Sequence, residues 1–306
     1  MKIGLPKGLL NYKYSTFFET FFFELGTEIV YSSDTNKEIL DLGVKHCVDE
    51  ACLPIKIFHG HVASLRDKCD LLITPRIMQI RKKEFICPKF CGLPEMLVNS
   101  IPNLPMITTA PLYFFSKEKL YSWCIASAEK ITKDRSKVKA ACTKAMEKQN
   151  NTSYGIKNQG FRKNIALIGH PYNIYDSFIN MNLVKKLNKL GVGVITEEFV
   201  EEKDLDIQIQ KLYKRPFWNF ARNAFGFSTF MAEQKKIDGI IYISSFACGI
   251  DSVVIELIKS GIDEFPFMVL KIDEHTGEAG LETRIEAFVD MLGGGINYES
   301  NLSPLR

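Results

Sequence analysis

Short apolar runs alternate along the chain with longer segments in which apolar residues recur every three or four positions. The short runs predict β-strands and the longer segments predict amphipathic helices, an order typical of parallel sheets covered on both faces. Predicted helices in the first half cover 14–25, 36–44 and 54–66, the last opening with proline. The predicted strands of that half are KIGLP, EIVYS, LLITP and PMITTA.

A long polar and helical passage, 117–157, ends in QNNTSYGIKNQG, which has no apolar period. We place a domain boundary there, between an N-terminal domain of 1–157 and a C-terminal domain of 158–292. The second half restarts the alternation of strand and helix, and 293–306 is expected to be a flexible tail. Its predicted strands are NIALIGHP, VGVITEEF, GIIYISS and FMVLKI.

Composition narrows the class of protein. The chain has 306 residues, 46% of them hydrophobic, and a formal net charge of +3 with dispersed basic residues, which argues against a nucleic-acid partner. The most apolar early stretch, STFFETFFFELG, is too short and too charged to span a membrane, and the start MKIGLPKGLL does not resemble a signal peptide. We expect a cytoplasmic protein whose eight cysteines are thiols.

Seven of the eight cysteines fall into two groups by their surroundings. Four of them lie at predicted helix starts or beside proline or glycine: Cys52, Cys87, Cys91 and Cys248. Loops at the carboxyl ends of parallel strands converge on a crevice where ligands bind, and a helix N-terminus stabilises a thiolate. Those of the other group have ordinary helical neighbours and are expected to be structural: Cys69, Cys124 and Cys142.

Thiolates from both halves suggest a metal centre between the two halves. Soft sulfur ligands select zinc, copper(I) or an iron–sulfur cluster. Zinc would use two close pairs, Cys47 with Cys52 and Cys87 with Cys91. From spacing alone, zinc, an iron–sulfur cluster and no metal at all stay open, because the spacing is not that of a ferredoxin.

Several blocks resemble one known family in their order along the chain. They are IGLPKGLLNYKYSTFFETFFFELGTEIVYS, CLPIKIFHGHV, CPKFCGLPEML, IALIGHPYNIYD, FACGIDSVVIELI and MVLKIDEHTGEAGLETRIEAFVDML. Together they cover nearly the whole chain, and it resembles the activase-associated proteins of the 2-hydroxyacyl-CoA dehydratase family. The resemblance implies an α/β fold of two flavodoxin-like three-layer halves with parallel sheets and an iron–sulfur cluster at their interface.

The resemblance also implies which residues hold that cluster. Cys52, Cys87 and Cys248 match the family's cysteine motifs, so they are the expected metal ligands, and Cys91 is a further cofactor-binding candidate. The expected cofactor is a [4Fe-4S] cluster with one iron left open, and a larger cluster would use Cys47 or Cys91 as well.

Other motif residues carry two interpretations each. His59 and His61 are two apart on a helix and are expected to make packing hydrogen bonds, the alternative being that one of them lines the crevice. His170, in GHPYNIYD, either belongs to a capping turn or acts near the cluster, where Tyr172 would also donate a hydrogen bond. Three residues of DEHTGEAG are either parts of a capped loop or catalytic acids and bases at the crevice: Glu274, His275 and Glu278.

The sequence has neither a G-x-x-x-x-G-K-[ST] loop nor a G-x-G-x-x-G motif after a strand. Any ATP dependence must therefore come from a partner, and the resemblance implies an ATP-dependent activase, itself an iron–sulfur ATPase. We expect a low-potential protein that takes single electrons from this activase and reduces or dehydrates a small or CoA-linked substrate, with a homodimer as a further expectation. The alternative is a non-catalytic scaffold, bearing iron–sulfur or zinc, that binds the activase.

Overall fold

The computed structural model describes residues 1–293, so almost all of the expected tail lies outside the described residues. Two four-stranded parallel sheets organise the chain, one in each half. The first has the strand order β2 (Glu28–Tyr31), β1 (Lys2–Leu5), β3 (Leu71–Leu72), β6 (Met106–Ile107). The second has the order β9 (Val192–Ile195), β8 (Lys163–Gly169), β10 (Gly239–Ser245), β11 (Phe267–Ile272). In both, the second strand along the chain lies outside the first, which is the flavodoxin-like order 2-1-3-4. The expected fold of two parallel α/β halves is confirmed.

The bounds of the elements in the first half are as follows: β1 Lys2–Leu5, α1 Asn11–Glu24, β2 Glu28–Tyr31, α2 Lys37–Lys45, α3 Leu53–Leu65, β3 Leu71–Leu72, β4 Arg76–Arg81, β5 Glu84–Phe85, α4 Pro88–Cys91, α5 Leu93–Ser100, β6 Met106–Ile107, β7 Pro111–Tyr113, α6 Lys117–Ala128 and α7 Arg135–Asn150. Those of the second half are β8 Lys163–Gly169, α8 Pro171–Ile174, α9 Leu183–Lys189, β9 Val192–Ile195, α10 Glu202–Gln210, α11 Asn219–Glu233, β10 Gly239–Ser245, α12 Gly249–Gly261, β11 Phe267–Ile272 and α13 Glu278–Met291, with a 3₁₀ turn at Glu197–Phe199.

Side chains on successive residues of the second sheet alternate between two hydrophobic clusters. Ile165 and Leu167 of β8 pack on one face, whereas Ala166 and Ile168 pack on the other. This two-residue period follows from strand geometry, and the near-continuous apolar strands are those of a sheet buried on both faces. The result is a three-layer arrangement.

Helix α3 packs into both halves of the molecule. Its Leu53 and Ile57 belong to the cluster built by the second half, whereas Ile55, Phe58 and Val62 belong to the core of the first half. A helix that is apolar around most of its circumference must be buried between two layers. Helix α3 therefore forms much of the contact between the halves.

Two glycines allow α2 and α3 to pack in close contact. A Cβ on Gly60 would lie 1.8 Å from the Ile39 carbonyl oxygen, and one on Gly43 would lie 2.0 Å from the Lys56 carbonyl oxygen. Any larger residue would push the two helices apart. The position of α3 is therefore tightly determined.

A small third sheet, absent from the prediction, has the order β5-β4-β7. Strand β4 pairs antiparallel with β5 and parallel with β7. The sequence of β4, RIMQIR, begins and ends with arginine and lacks the continuous apolar run that marks the strands of the two main sheets. None of the described helices is both long and apolar enough to cross a membrane.

Candidate metal centre

A cavity of about 660 Å³ lies between the two halves and is lined by three of the predicted cysteines. Cys52 and Cys87 come from the first half and Cys248 from the second. All eight cysteines are free thiols, and these three are half-buried. Other residues that line the cavity include Lys89, His170, Tyr172, Lys214, Arg215, Phe217, Trp218, Val253 and Leu257.

Each of the three thiols occupies the N-cap of a helix: Cys52 that of α3, Cys87 that of α4 and Cys248 that of α12. Proline in the first turn of α3 and of α4 presets the backbone there. The unpaired N–H groups of a first turn point toward the N-cap and favour negative charge. Three such caps meeting in one cavity suit anionic sulfur ligands.

His170 and Cys248 lie at the switch point of the second sheet, where the chain leaves neighbouring strands in opposite directions. His170 follows β8, and Cys248 follows β10, its hydrogen-bonded neighbour. Ligands of open α/β sheets bind in this crevice, outside the carboxyl ends of the strands. The topology therefore places the second half's thiol where a ligand site is expected.

Burial raises the pKa of Cys87, and it raises that of Cys248 to about 12, with the nearby Asp251 carboxylate adding to the effect. Without a bound cation these two sulfurs are therefore protonated thiols at neutral pH. Metal coordination deprotonates a thiol outright and thereby reverses this preference. A cation is also close to the third sulfur, since Lys89 Nζ lies 3.6 Å from Cys52 Sγ.

A buried hydrogen-bond network supports the wall beside Cys248. Asp251 accepts hydrogen bonds from the Tyr242 hydroxyl at 2.8 Å and from the Ser244 hydroxyl at 2.7 Å. His170 Nε2 lies 3.3 Å from Asp251 Oδ1, and the Tyr172 hydroxyl lies 2.7 Å from His170 Nδ1, within hydrogen-bond distance. The network holds the Tyr172 and His170 rings at the cavity.

Asp251 is a residue that sequence reasoning missed. Ligand atoms of His170, Cys248 and Asp251 lie within 4.8 Å of one another, which makes them a candidate metal site. Both Asp251 oxygens already accept hydrogen bonds, so its geometry suits orientation of His170 better than metal coordination. An acidic residue three positions after a cysteine, in the first turn of a helix, is the signal that could have indicated it.

The remaining cysteines occupy different places. Cys91 is the last residue of α4 and Cys47 is half-buried ahead of α3, and neither belongs to the lining of the cavity. Cys124 and Cys142 are buried in the first half's core, and Cys69 Sγ donates to the Leu65 carbonyl oxygen at 3.4 Å. The latter three have the structural surroundings expected of them.

His59 and His61 are buried and hydrogen-bonded within the first half, as expected from their spacing. His59 Nδ1 lies 2.8 Å from the Ile55 carbonyl oxygen. His61 contacts the hydroxyl oxygens of Ser32 at 2.9 Å and Thr35 at 3.0 Å. Their rings therefore stabilise the packing of α3.

The DEHTGEAG loop borders a second cavity of about 350 Å³, also between the halves. Glu274 pairs with the buried Lys56, and Glu278 pairs with Lys186. The His275 side chain is 86% exposed, and Asp273 accepts from Thr276. Of the four residues predicted as catalytic, the structure brings only His170 into the cysteine cavity.

The residues of the cysteine cavity fit an iron–sulfur cluster better than a structural zinc ion. The donors are thiols, the ligands that such clusters use. Structural zinc sites are closed around four ligands, whereas this cavity of about 660 Å³ has three cysteines in its lining. A zinc site would need Cys91 beside Cys87, and Cys91 does not line the cavity.

Two family profiles match the sequence, each over more than half of the chain. One is the CoA enzyme activase uncharacterised domain (DUF2229), which matches residues 2–200. The other is the 2-hydroxyglutaryl-CoA dehydratase D-component, which matches residues 122–292. The chain belongs to both families.

Membership in the activase-domain and D-component families confirms the resemblance stated from the motifs. It associates the chain with dehydratase systems that include an activase. The search of curated proteins finds no match. The D-component profile covers His170, Asp251 and Cys248, and the activase-domain profile covers Cys52 and Cys87.

Proposed function

We propose that the chain is a D-component-type iron–sulfur protein that takes single electrons from an ATP-dependent activase and uses them on a small or CoA-linked substrate. The observation that carries this proposal is the meeting of Cys52, Cys87 and Cys248, three helix N-caps from both halves, in one cavity. These three thiolates would hold a [4Fe-4S] cluster. Such a cluster would supply low-potential electron transfer and an iron site open to substrate.

The other residues that line the cysteine cavity would set the polarity, hydrogen bonding and charge around the substrate. Apolar side chains of α12 and the segment at Phe217 line one wall of the cavity, which would lower the local polarity and strengthen electrostatic interactions there. Tyr172 and His170 hold hydrogen-bonding groups at the same cavity. Lys214, at its lining, would attract an anionic substrate, whereas Arg215 is paired with Glu84 and Asp206.

The test is a measurement of iron and acid-labile sulfide in anaerobically purified protein. We expect about four of each per chain. Cys52→Ala, Cys87→Ala and Cys248→Ala should each lose most of this content, because a ligand sulfur is removed. Cys69→Ala is the matched control, a half-buried thiol of the first half outside the cavity, and should load like wild type.

Full iron content in all three variants would overturn the ligand assignment. Zinc in place of iron would replace the proposal with the scaffold alternative. Dependence on the activase is tested separately, by following reduction of the cluster with and without ATP in the presence of the partner. Equal reduction without ATP would contradict the proposed source of electrons.

A further inference from the structure

Lys56, which is buried, and Glu274, which is half-buried, form an ion pair across the two halves of the molecule. The Lys56 ammonium contacts Glu274 Oε1, and the two side chains are only 3% and 18% exposed. The chain positions are 218 residues apart. Both residues lie in motifs, CLPIK and DEHTGE, and the pair lies outside the lining of the cysteine cavity.

One end of this pair is attached to Cys52. Lys56 follows Cys52 by one turn of α3, and its N–H donates to the Cys52 carbonyl oxygen at 3.2 Å. The glycine contact with α2 and the packing of Leu53 and Ile57 hold the helix as a rigid element. A shift of Lys56 along or across the interface therefore shifts Cys52 with it.

The other end is attached to the strands that carry Cys248. Strand β11 ends at Ile272, two residues before Glu274, and Ile272 is paired with Ser245 of β10. Ser245 lies three residues before Cys248, and the Phe246 N–H donates to the Ile272 carbonyl oxygen at 2.8 Å. Glu274 and Cys248 thus leave neighbouring strands at the same edge of one sheet.

We propose that Lys56 and Glu274 are positioning residues that set the distance between the Cys52 and Cys248 thiols. The pair joins the helix that presents one sulfur to the strand pair that presents the other. A buried charge without its partner is strongly unfavourable, so the halves are held at the separation that keeps the two charges in contact. The importance of this spacing for a cluster rests on the proposed function.

A cluster-free experiment tests the spacing itself. Metal-free protein is treated with a short bifunctional thiol reagent, dibromobimane, in a Cys87→Ala background, and the Cys52–Cys248 cross-link is quantified by peptide mass spectrometry. We expect several-fold lower yield in Lys56→Met and Glu274→Gln than in the parent. The charge-exchanged protein, Lys56→Glu with Glu274→Lys, should recover most of the yield.

The matched control is the Lys186–Glu278 pair, which lies within the second half and whose Glu278 borders the same second cavity as Glu274. Lys186→Met and Glu278→Gln should leave the cross-link yield unchanged. Parent-like yield in both Lys56→Met and Glu274→Gln would overturn the proposal, as would absence of the cross-link in the parent. If Lys56→Met fails to fold, the cross-link yield of the milder variant Glu274→Gln alone tests the proposal.

A second readout uses the loaded protein. In Glu274→Gln the midpoint potential and the electron paramagnetic resonance spectrum of the cluster should change, and the charge exchange should restore them, whereas a merely stabilising pair would change neither. Wild-type protein that fails to load iron but shows the expected cross-linking pattern would refute the proposed function and leave the spacing role standing. Wild-type protein that loads iron as proposed, together with parent-like cross-linking of metal-free Lys56→Met and Glu274→Gln, would refute the spacing role alone.

Discussion

At the scale of single residues, two histidine side chains differ because one is buried and the other is exposed to solvent. Burial with hydrogen bonds to Ser32 and Thr35 keeps His61 neutral, and burial lowers its pKa from 6.5 to about 4, with Lys7 contributing. His275, in contrast, is exposed to solvent. Of these two histidines, it is the buried His61 whose protonation is opposed by its surroundings.

The depressed pKa of His61 predicts a loss of stability in mild acid. Its contribution is present above pH 6.5 and is lost as the pH falls toward 4, because the unfolded chain then binds a proton that the folded protein excludes. Between pH 7 and pH 5 this amounts to about 2 kcal/mol of the free energy of unfolding. Urea titrations of wild type and His61→Gln should show a smaller pH difference in the variant.

His275→Gln is the control for that comparison, since an exposed ring gains little from folding. It should keep the wild-type pH difference. An equal pH difference in wild type and His61→Gln would contradict the assignment of this acid sensitivity to the buried ring.

Residue-scale reasoning from sequence found the cysteines but not their supporting groups. Cys52, Cys87 and Cys248 were recognisable because proline, glycine and strand ends mark the starts of helices. The partnership of Lys56 with Glu274 was invisible, because a charge pair formed by tertiary packing leaves no trace in local spacing. Asp251 was harder to recognise than the cysteines, because its hydrogen-bond donors, Tyr242 and Ser244, lie in β10 and only its place in the first turn of α12 marked it in the sequence.

At the scale of elements, the contact between α2 and α3 is the tightest that the glycines permit. Gly60→Ala should destabilise the fold by about 1–3 kcal/mol, the usual cost of overpacking, because the new methyl group meets the Ile39 carbonyl oxygen. Gly280→Ala, in the exposed first turn of α13 with open space around it, should be neutral or slightly stabilising. Chemical denaturation of both variants checks this, and equal midpoints would refute it.

Elements with a continuous apolar run were predicted well, and those without one were not. All eight strands of the two main sheets correspond to apolar runs such as GIIYISS. The small sheet and α10 escaped notice because they lack such a run: β4 buries only Ile77 and Gln79, and the buried positions of α10 are Leu205, Gln208 and Ile209 among polar and charged neighbours. Their stability comes from tertiary partners rather than from local pattern.

At the scale of the whole molecule, a second ionic network joins the halves at the small sheet. Glu84 of β5 and Arg222 of α11 are both buried, and Glu84 also accepts hydrogen bonds from Arg215 and Asn219, each at 2.7 Å. Arg222 in turn donates to Asp206 at 2.7 Å. The network spans the first and second halves as the Lys56–Glu274 pair does.

Removing the guanidinium from this network should be costly. Arg222→Leu is expected to lower the free energy of unfolding by about 3–5 kcal/mol, because Glu84 and Asp206 lose a buried partner. The double variant Arg222→Leu with Glu84→Leu should lose less than the sum of the two single variants. Additive losses in denaturation experiments would show that the two side chains act independently.

Membership of α3 in both cores has a consequence for how the cavity exchanges its contents. A hinge opening that parted the halves would pull Leu53 and Ile57 into water on one side or Phe58 and Val62 on the other. Either movement exposes several large apolar side chains at once, each worth about 1.5–3 kcal/mol when fully buried. Exchange with the three thiols is therefore expected to occur from the solvent side of the cavity, whose lining includes the exposed Phe217 and Val253, while the two halves stay closed around it.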